Sequence, residues 1–212
     1  SFNQTGLKLA PTTDNSALAI GNTYTIEWWQ KINSSQYGSA WYVVASQNYE
    51  GNSSSNFIDI RLSGQYNGIY LNGQQWGATF NPALDQWQHV AITCNNSQVK
   101  VWQGGTQIFS ATYGSNNTSL NDGTHDLYLL QNGSAGGGWW TTFPGKIANF
   151  AISNNVRYTG TFDPATVAKP PPSDSNTVFV SLGTEEHPEA QYGSSGIYPF
   201  VTNDVTLSTD HP

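Results

Sequence analysis

Hydrophobic and polar side chains alternate with a period of two along most of this chain, and the spacing of an amphipathic helix is absent. The alternation predicts strands at about Leu7 to Ala10, Tyr24 to Ile32, Ala40 to Ala45 and Phe57 to Leu62. Further strands are expected at Leu127 to Leu130, Lys146 to Ile152 and Val178 to Leu182. In the second strand Tyr24, Ile26, Trp28 and Gln30 share one face, while Thr25, Glu27, Trp29 and Lys31 share the other. Trp28 is therefore assigned to the core and Trp29 to the outer face of its sheet. Trp41 and Tyr42 likewise point to opposite faces of their strand.

Between these strands stand turn pairs that accept positive φ. Asn72-Gly73 separates IYL from QQW, Asn95-Asn96 separates HVAITC from QVKVW, and Gly104-Gly105 separates VKVW from TQIFSA. Three consecutive hairpins favour an antiparallel meander within a β-sandwich or jelly roll. Pro170, Pro171 and Pro172 form a stiff extended connector. We divide the chain into a sandwich over residues 1–169 and a connector plus C-terminal strands over 170–212, where TVFVSL and DVTLS are expected to pack on the same sandwich.

Composition agrees with an all-β chain. Aromatic residues make up 13% and charged residues only 10% of the 212 positions, with abundant Gly, Asn, Ser and Thr for turns. The net charge of -7 reflects just seven Lys and Arg, too few for a stripe that neutralises phosphates, so nucleic acid is not an expected partner. No apolar run is long enough for membrane insertion, and SFNQTGLKLAP lacks the charged-then-apolar profile of a secretion signal. With Ser1 compatible with loss of an initiator Met, a protein made without such a signal is expected. The single cysteine, Cys94, lies in the apolar context VAITC and reads as a buried thiol.

Three segments, TYTIEWWQK, DQWQHVAITCNNSQVKVWQGGTQI and FPGKIANFAISNNVRYTGTFDP, resemble in order those of laminin-G-like and concanavalin A-like domains. The matching positions are Trp87, His89, Val90 and Ala91, then Gly145, Ile147, Phe150 and Ile152, then Arg157, Tyr158, Phe162 and Pro164. The resemblance implies a single antiparallel jelly-roll sandwich in which His89 is structural. The ending NTVFVSLGT, followed later by NDVTLSTDHP, resembles laminin-G-like proteins of tailed phages, marine cyanophages in particular. That likeness implies a virion surface protein, a capsid decoration or tail-associated protein, which touches other virion proteins, host-surface glycans and other copies of itself. The competing expectation is a secreted or cell-surface carbohydrate-binding module.

Glycoside hydrolysis needs two carboxylates across a scissile bond, and no E-x-D-x-x-E strand is present; Glu27 and Asp59 are isolated, and Glu185, Glu186 and Glu189 flank Pro188. The expectation is a protein that binds rather than catalyses. The four histidines lack zinc spacing. Calcium, which the resemblance allows at the sandwich rim, has hard oxygen donors available at Asp14 and Asn15, or at Asn121, Asp122 and Asp126. Sugar recognition calls for accessible aromatic rings beside amides. The strongest candidates are Trp139 and Trp140 in GSAGGGWWTT, with Tyr49, Tyr66 and Trp76 as secondary ones.

Overall fold

The computed structural model describes residues 7–10, 18–47, 58–63, 68–71, 74–76, 80–114, 119–120, 127–130, 140–141, 143–167, 174–181, 191–192 and 198–201. For 7–10, 68, 70–71, 74–76, 140–141, 181, 191–192 and 198–201 it describes the backbone alone. No α-helix occurs among these residues, and none of their helices is long and apolar enough to cross a membrane.

The strands form two antiparallel sheets packed face to face. One, sheet A, contains β1 (Leu7–Ala10), β3 (Trp41–Ser46), β4 (Asp59–Ser63), β5 (Gly68–Leu71), β6 (Gln74–Trp76), β10 (Leu127–Leu129), β11 (Trp140–Thr141) and β15 (Tyr198–Val201). Its order is β15-β1-β10-β3-β4-β5-β6, with β11 lying parallel to β3. The other, sheet B, contains β2 (Thr23–Ile32), β7 (Trp87–Asn95), β8 (Gln98–Gln103), β9 (Thr106–Thr112), β12 (Gly145–Ser153), β13 (Thr177–Ser181) and β14 (Gln191–Tyr192), in the order β14-β13-β12-β2-β7-β8-β9. The chain is an all-β sandwich, as the alternation implies. The hairpins divide between the layers: β3-β4-β5-β6 form a meander in sheet A, and β7-β8-β9 form one in sheet B.

Alternation fixes what lies between the sheets. Tyr24, Ile26 and Trp28 from β2, Val90, Ile92 and Cys94 from β7 and Val99 and Val101 from β8 are fully buried against Ile60, Leu62, Ile69, Leu127 and Leu129 of sheet A. Trp28 packs on Phe150 at a centroid distance of 6.4 Å, and its indole N–H donates to Gln30 Oε1 at 2.9 Å. Truncating a buried indole of this kind costs about 3–5 kcal/mol. Turn chemistry follows the sequence with one shift. Gly104 and Gly105 both have positive φ, +55° and +77°, between the cross-strand partners Gln103 and Thr106. In the preceding hairpin Asn95 pairs with Gln98, so the turn pair is Asn96-Ser97 rather than Asn95-Asn96, and Asn96 takes the φ of 57°. Asn tolerates the left-handed region because its short side chain bonds locally.

Two β-bulges redirect side chains. Asn149, at φ 52°, sits in the shift between Ala148 and Ala151 of β12, where Phe150 is delivered to the core. In β3 the register shifts between Val43 and Ala45; both Val44 and Ala45 face the core, and Ser46 emerges on the outer face beside Asp59. Strict alternation would have put Ser46 inside.

Candidate functional site

Each sheet has an outer face, and the two differ. That of sheet B is closed by the segment from Asn154 to Val167, which leaves β12 and crosses β2, β7 and β8 to the β8-β9 turn. Thr25 Oγ1 donates to the Asn155 carbonyl at 2.7 Å and accepts from the Arg157 backbone N–H at 2.9 Å. The Tyr158 hydroxyl donates to Glu27 Oε2 at 2.5 Å, and His89 Nε2 lies 3.1 Å from the same oxygen. The Tyr158 and Phe162 rings stack at 4.0 Å, and His89 packs edge-on against Trp29, Tyr158 and Phe162 at 5.4–5.8 Å. The segment ends on the glycine turn, where Phe162 N–H donates to the Gly105 carbonyl at 3.1 Å. A Cβ on Gly105 would stand 1.9 Å from the Phe162 carbonyl oxygen, so glycine is required for this approach.

Arg157 fastens the arrangement. Its guanidinium grips Asp174 through two bonds of 3.0 and 3.1 Å and donates to Ser153 Oγ at 2.7 Å and Thr177 Oγ1 at 3.1 Å. These bonds from Arg157 hold the Asp174 carboxyl below its ordinary range. Burial, reinforced by Glu27, pushes the Tyr158 hydroxyl well above its ordinary value and keeps it a neutral donor. Trp29 is on the outer face, as its parity requires, yet only 8% exposed because this segment covers it. Glu27 and His89 are 1% exposed; His89 Nε2 faces Glu27, while its buried Nδ1 has no hydrogen-bond partner. Their surroundings are those of a structural lock, and no ligand could reach them without displacing the cover.

On the outer face of sheet A, cross-strand register sets positions in rows, in which Val43, Ser46, Asp59, Arg61 and Ser63 are buried and Trp41 and Tyr128 are partly exposed. One row runs Trp140, Trp41, Ser63 and Gly68; the next runs Val43, Arg61, Tyr70 and Gln75; a third runs Lys8, Tyr128, Ser46 and Asp59. Trp41 is half-buried. The loop before it is pinned by Tyr42, whose hydroxyl accepts from Gly38 N–H at 2.6 Å and donates to the Gln36 carbonyl at 3.2 Å. Within these rows, Arg61 Nε donates to Asp59 Oδ1 at 2.8 Å and a terminal nitrogen binds Asp59 Oδ2, with both residues nearly fully buried. Desolvation raises the Asp59 carboxyl to about 6, overcoming the opposing pull of Arg61 and Ser46.

The residues expected to bind ligand or metal fall unevenly on this frame. Trp140 occupies the position beside Trp41 on β3. Trp76 is the cross-strand partner of Ile69, whose side chain faces the core, which sets Trp76 on the core-facing register of β6. Trp139, Tyr49, Tyr66, Asp14, Asn15, Asn121, Asp122 and Asp126 lie outside the described residues, as do Pro170, Pro171, Pro172 and the DVTLS stretch. Among the described residues no cluster of three metal-ligating side chains occurs. Glu27 and Asp59, the isolated strand carboxylates, lie on opposite outer faces of the sandwich. Sheets pack about 10 Å apart, so these two exceed the roughly 5–9.5 Å separation of a glycosidase pair.

Residues 4–159 match the family model described as the concanavalin A-like lectin/glucanases superfamily, Laminin_G_3. The chain belongs to this superfamily. Comparison with curated proteins gave no match. Among solved structures, the sandwich resembles a Bacteroides ovatus protein to which carbohydrate binding is ascribed, with a TM-score of 0.60 at 16% identity. The match covers 95% of this chain and 56% of that one, so this chain spans little more than half of that relative. It also resembles the heptameric SAP-like pentraxin of Limulus polyphemus, with a TM-score of 0.55 at 11% identity over 98% of this chain and 93% of that one. A third is the CBM40 of the Ruminococcus gnavus IT-sialidase bound to α2,3-sialyllactose, with a TM-score of 0.53 at 14% identity over 73% of this chain and 88% of that one. These likenesses are likenesses of fold. The W-x-H-V-A segment of β7 and the R-Y-x-x-x-F-x-P segment after β12 are the two sides of the lock on sheet B, with His89 facing Tyr158 and Phe162.

Proposed function

We propose that this chain is a non-catalytic carbohydrate-binding module and that it holds sugar on the outer face of sheet A around Trp41. The observation that carries the reading is the parallel register of β11 on β3, which pairs Trp140 with Trp41 beside Ser63. Adjacent strands lie about 4.8 Å apart, so the register sets a second tryptophan position next to the half-buried Trp41, a residue type whose ring suits the apolar face of a pyranose. Glu27 is bonded by Tyr158 and His89 and Asp59 is paired with Arg61, on opposite faces, which supports binding without hydrolysis. The sugar-related descriptions of two structures that share the fold are consistent with it.

The test is a glycan array followed by calorimetry on the best ligand. Trp41→Ala is expected to weaken binding by about tenfold, the equivalent of ~1.4 kcal/mol of stacking, with the thermal midpoint checked to show that the variant is folded. No glycan bound at millimolar concentration, or a folded variant with unchanged affinity, would overturn the reading.

A second reading concerns where the module works. The resemblance of NTVFVSLGT and NDVTLSTDHP to tailed-phage proteins supports a virion surface carrier, with capsid or tail proteins as neighbours and host glycans as the target. Detection of this chain by mass spectrometry in purified particles supports that carrier; its presence only in culture supernatant, free of particles, favours a secreted module.

A further inference from the structure

Resting on the carbohydrate-binding reading, we infer that the loop at 36–40 is the polar rim of the sugar site and that Tyr42 is the positioning residue that sets it beside Trp41. The row of Trp41 leaves little for a sugar's hydroxyls, because its Ser63 is 0% exposed. The exposed polar side chains next to Trp41 along the chain are Ser39, two residues before it, and Gln36. Two residues of chain span at most about 7 Å, so a ring laid against Trp41 has Ser39 at its edge.

The loop is fixed from both ends. Gln36 and Tyr37 N–H donate to the Asn33 carbonyl at 3.1 and 3.0 Å, and Asn33 N–H donates to the Pro144 carbonyl at 2.8 Å. Beyond them Tyr42 takes over: its hydroxyl accepts from Gly38 N–H and donates to the Gln36 carbonyl, and its ring stacks on Tyr37 with centroids 5.5 Å apart. Tyr42 faces the core at 4% exposure, while Trp41, its neighbour in β3, takes the opposite face. One strand thus carries both the sugar-facing ring and the group that ties down the loop alongside it. Tyr42 acts through the loop rather than on the sugar. A rim ordered before binding has little chain entropy left to lose, which is how preorganised sites gain affinity.

The experiment is calorimetry of the best array ligand on four folded variants, with hydrogen exchange at the Gly38 amide followed in parallel. Tyr42→Phe keeps the buried ring and its stack on Tyr37 and removes only the hydroxyl. It is expected to lose protection at Gly38 and to bind about fivefold more weakly through a less favourable entropy. The double variant Gln36→Ala, Ser39→Ala is expected to bind about tenfold more weakly through a loss of enthalpy. Asn33→Ala removes the bonds from Ser35 to the Asn33 side chain at the far end of the loop and leaves the Asn33 carbonyl in place. Its affinity is expected to stay within about twofold of the wild type. Wild-type affinity in Tyr42→Phe or in the double variant overturns the inference, as does an equal loss in Asn33→Ala and Tyr42→Phe. Trp41→Ala separates the two levels: wild-type binding there removes the carbohydrate-binding reading, whereas a loss confined to Trp41→Ala removes the inference alone.

Discussion

Replacing Asp59 with Asn tests which force wins beneath the sheet A face. Desolvation raises this carboxyl from 3.8 to about 6 although Arg61 is in direct contact. The gap, at ~1.36 kcal/mol per unit of pH, corresponds to about 3 kcal/mol. Because the folded value is raised, the folded state holds the proton more tightly than the unfolded chain. The stabilisation from this group is fully present below about pH 4 and is lost as pH rises through about 6. The Asn variant lacks this titration, so the loss of its carboxylate is a constant offset across the pH range. Chemical denaturation of both proteins from about pH 4 to 7 should show the wild type losing roughly 3 kcal/mol relative to the variant. Parallel curves would mean that the attraction of Arg61 cancels desolvation, and a wild type that gains relative stability toward neutral pH that it outweighs it; either would refute the argument.

Other consequences concern the lock on sheet B. Arg157→Lys keeps the charge but loses the two-pronged grip on Asp174, and should destabilise by about 2 kcal/mol in thermal or urea unfolding; an unchanged midpoint would show that charge alone suffices. Gly105→Ala forces a Cβ to within 1.9 Å of the Phe162 carbonyl at φ +77°, and should lower stability by at least ~2 kcal/mol while exposing Trp29 and Trp102 to a fluorescence quencher. Protection of these indoles in the variant would show that the segment can shift without lifting. Glu27→Gln should preserve the fold but cost roughly 1–3 kcal/mol by weakening the bonds with Tyr158 and His89, measurable by urea denaturation; a neutral result would place the weight of the lock on the aromatic stack.

The layer architecture was legible because it depends on local signals. The parity of β2 assigned Trp28 to the core and Trp29 to the outer face, and the glycine pair at 104–105 announced a tight hairpin. What the alternation could not carry was the register change at a bulge. Ser46 reaches Asp59 only because Val44 is an extra residue in β3, and Phe150 reaches Trp28 only through the left-handed Asn149. Long-range pairing was equally hidden. Glu27 and Asp59 read as isolated carboxylates because their partners are 62 and 131 positions away in one case and two along the same strand in the other. The Asp59–Arg61 spacing was in fact visible: residues i and i+2 of a strand share a face, and opposite charges there are a pairing signal. For the ligand face, Trp140 was singled out by its loop context, whereas its neighbour across the sheet, Trp41, could be assigned only once β11 was seen to run parallel to β3.

The most direct measurement of the central claim is to map a bound oligosaccharide onto the protein by NMR, using backbone and indole N–H shifts during titration. The account predicts that the largest changes cluster on Trp41, Ser63 and Trp140, with His89 and Tyr158 unaffected on the opposite face. Changes centred on the sheet B cover or on the loop around Asn33 and Asp85, with Trp41 silent, would contradict it.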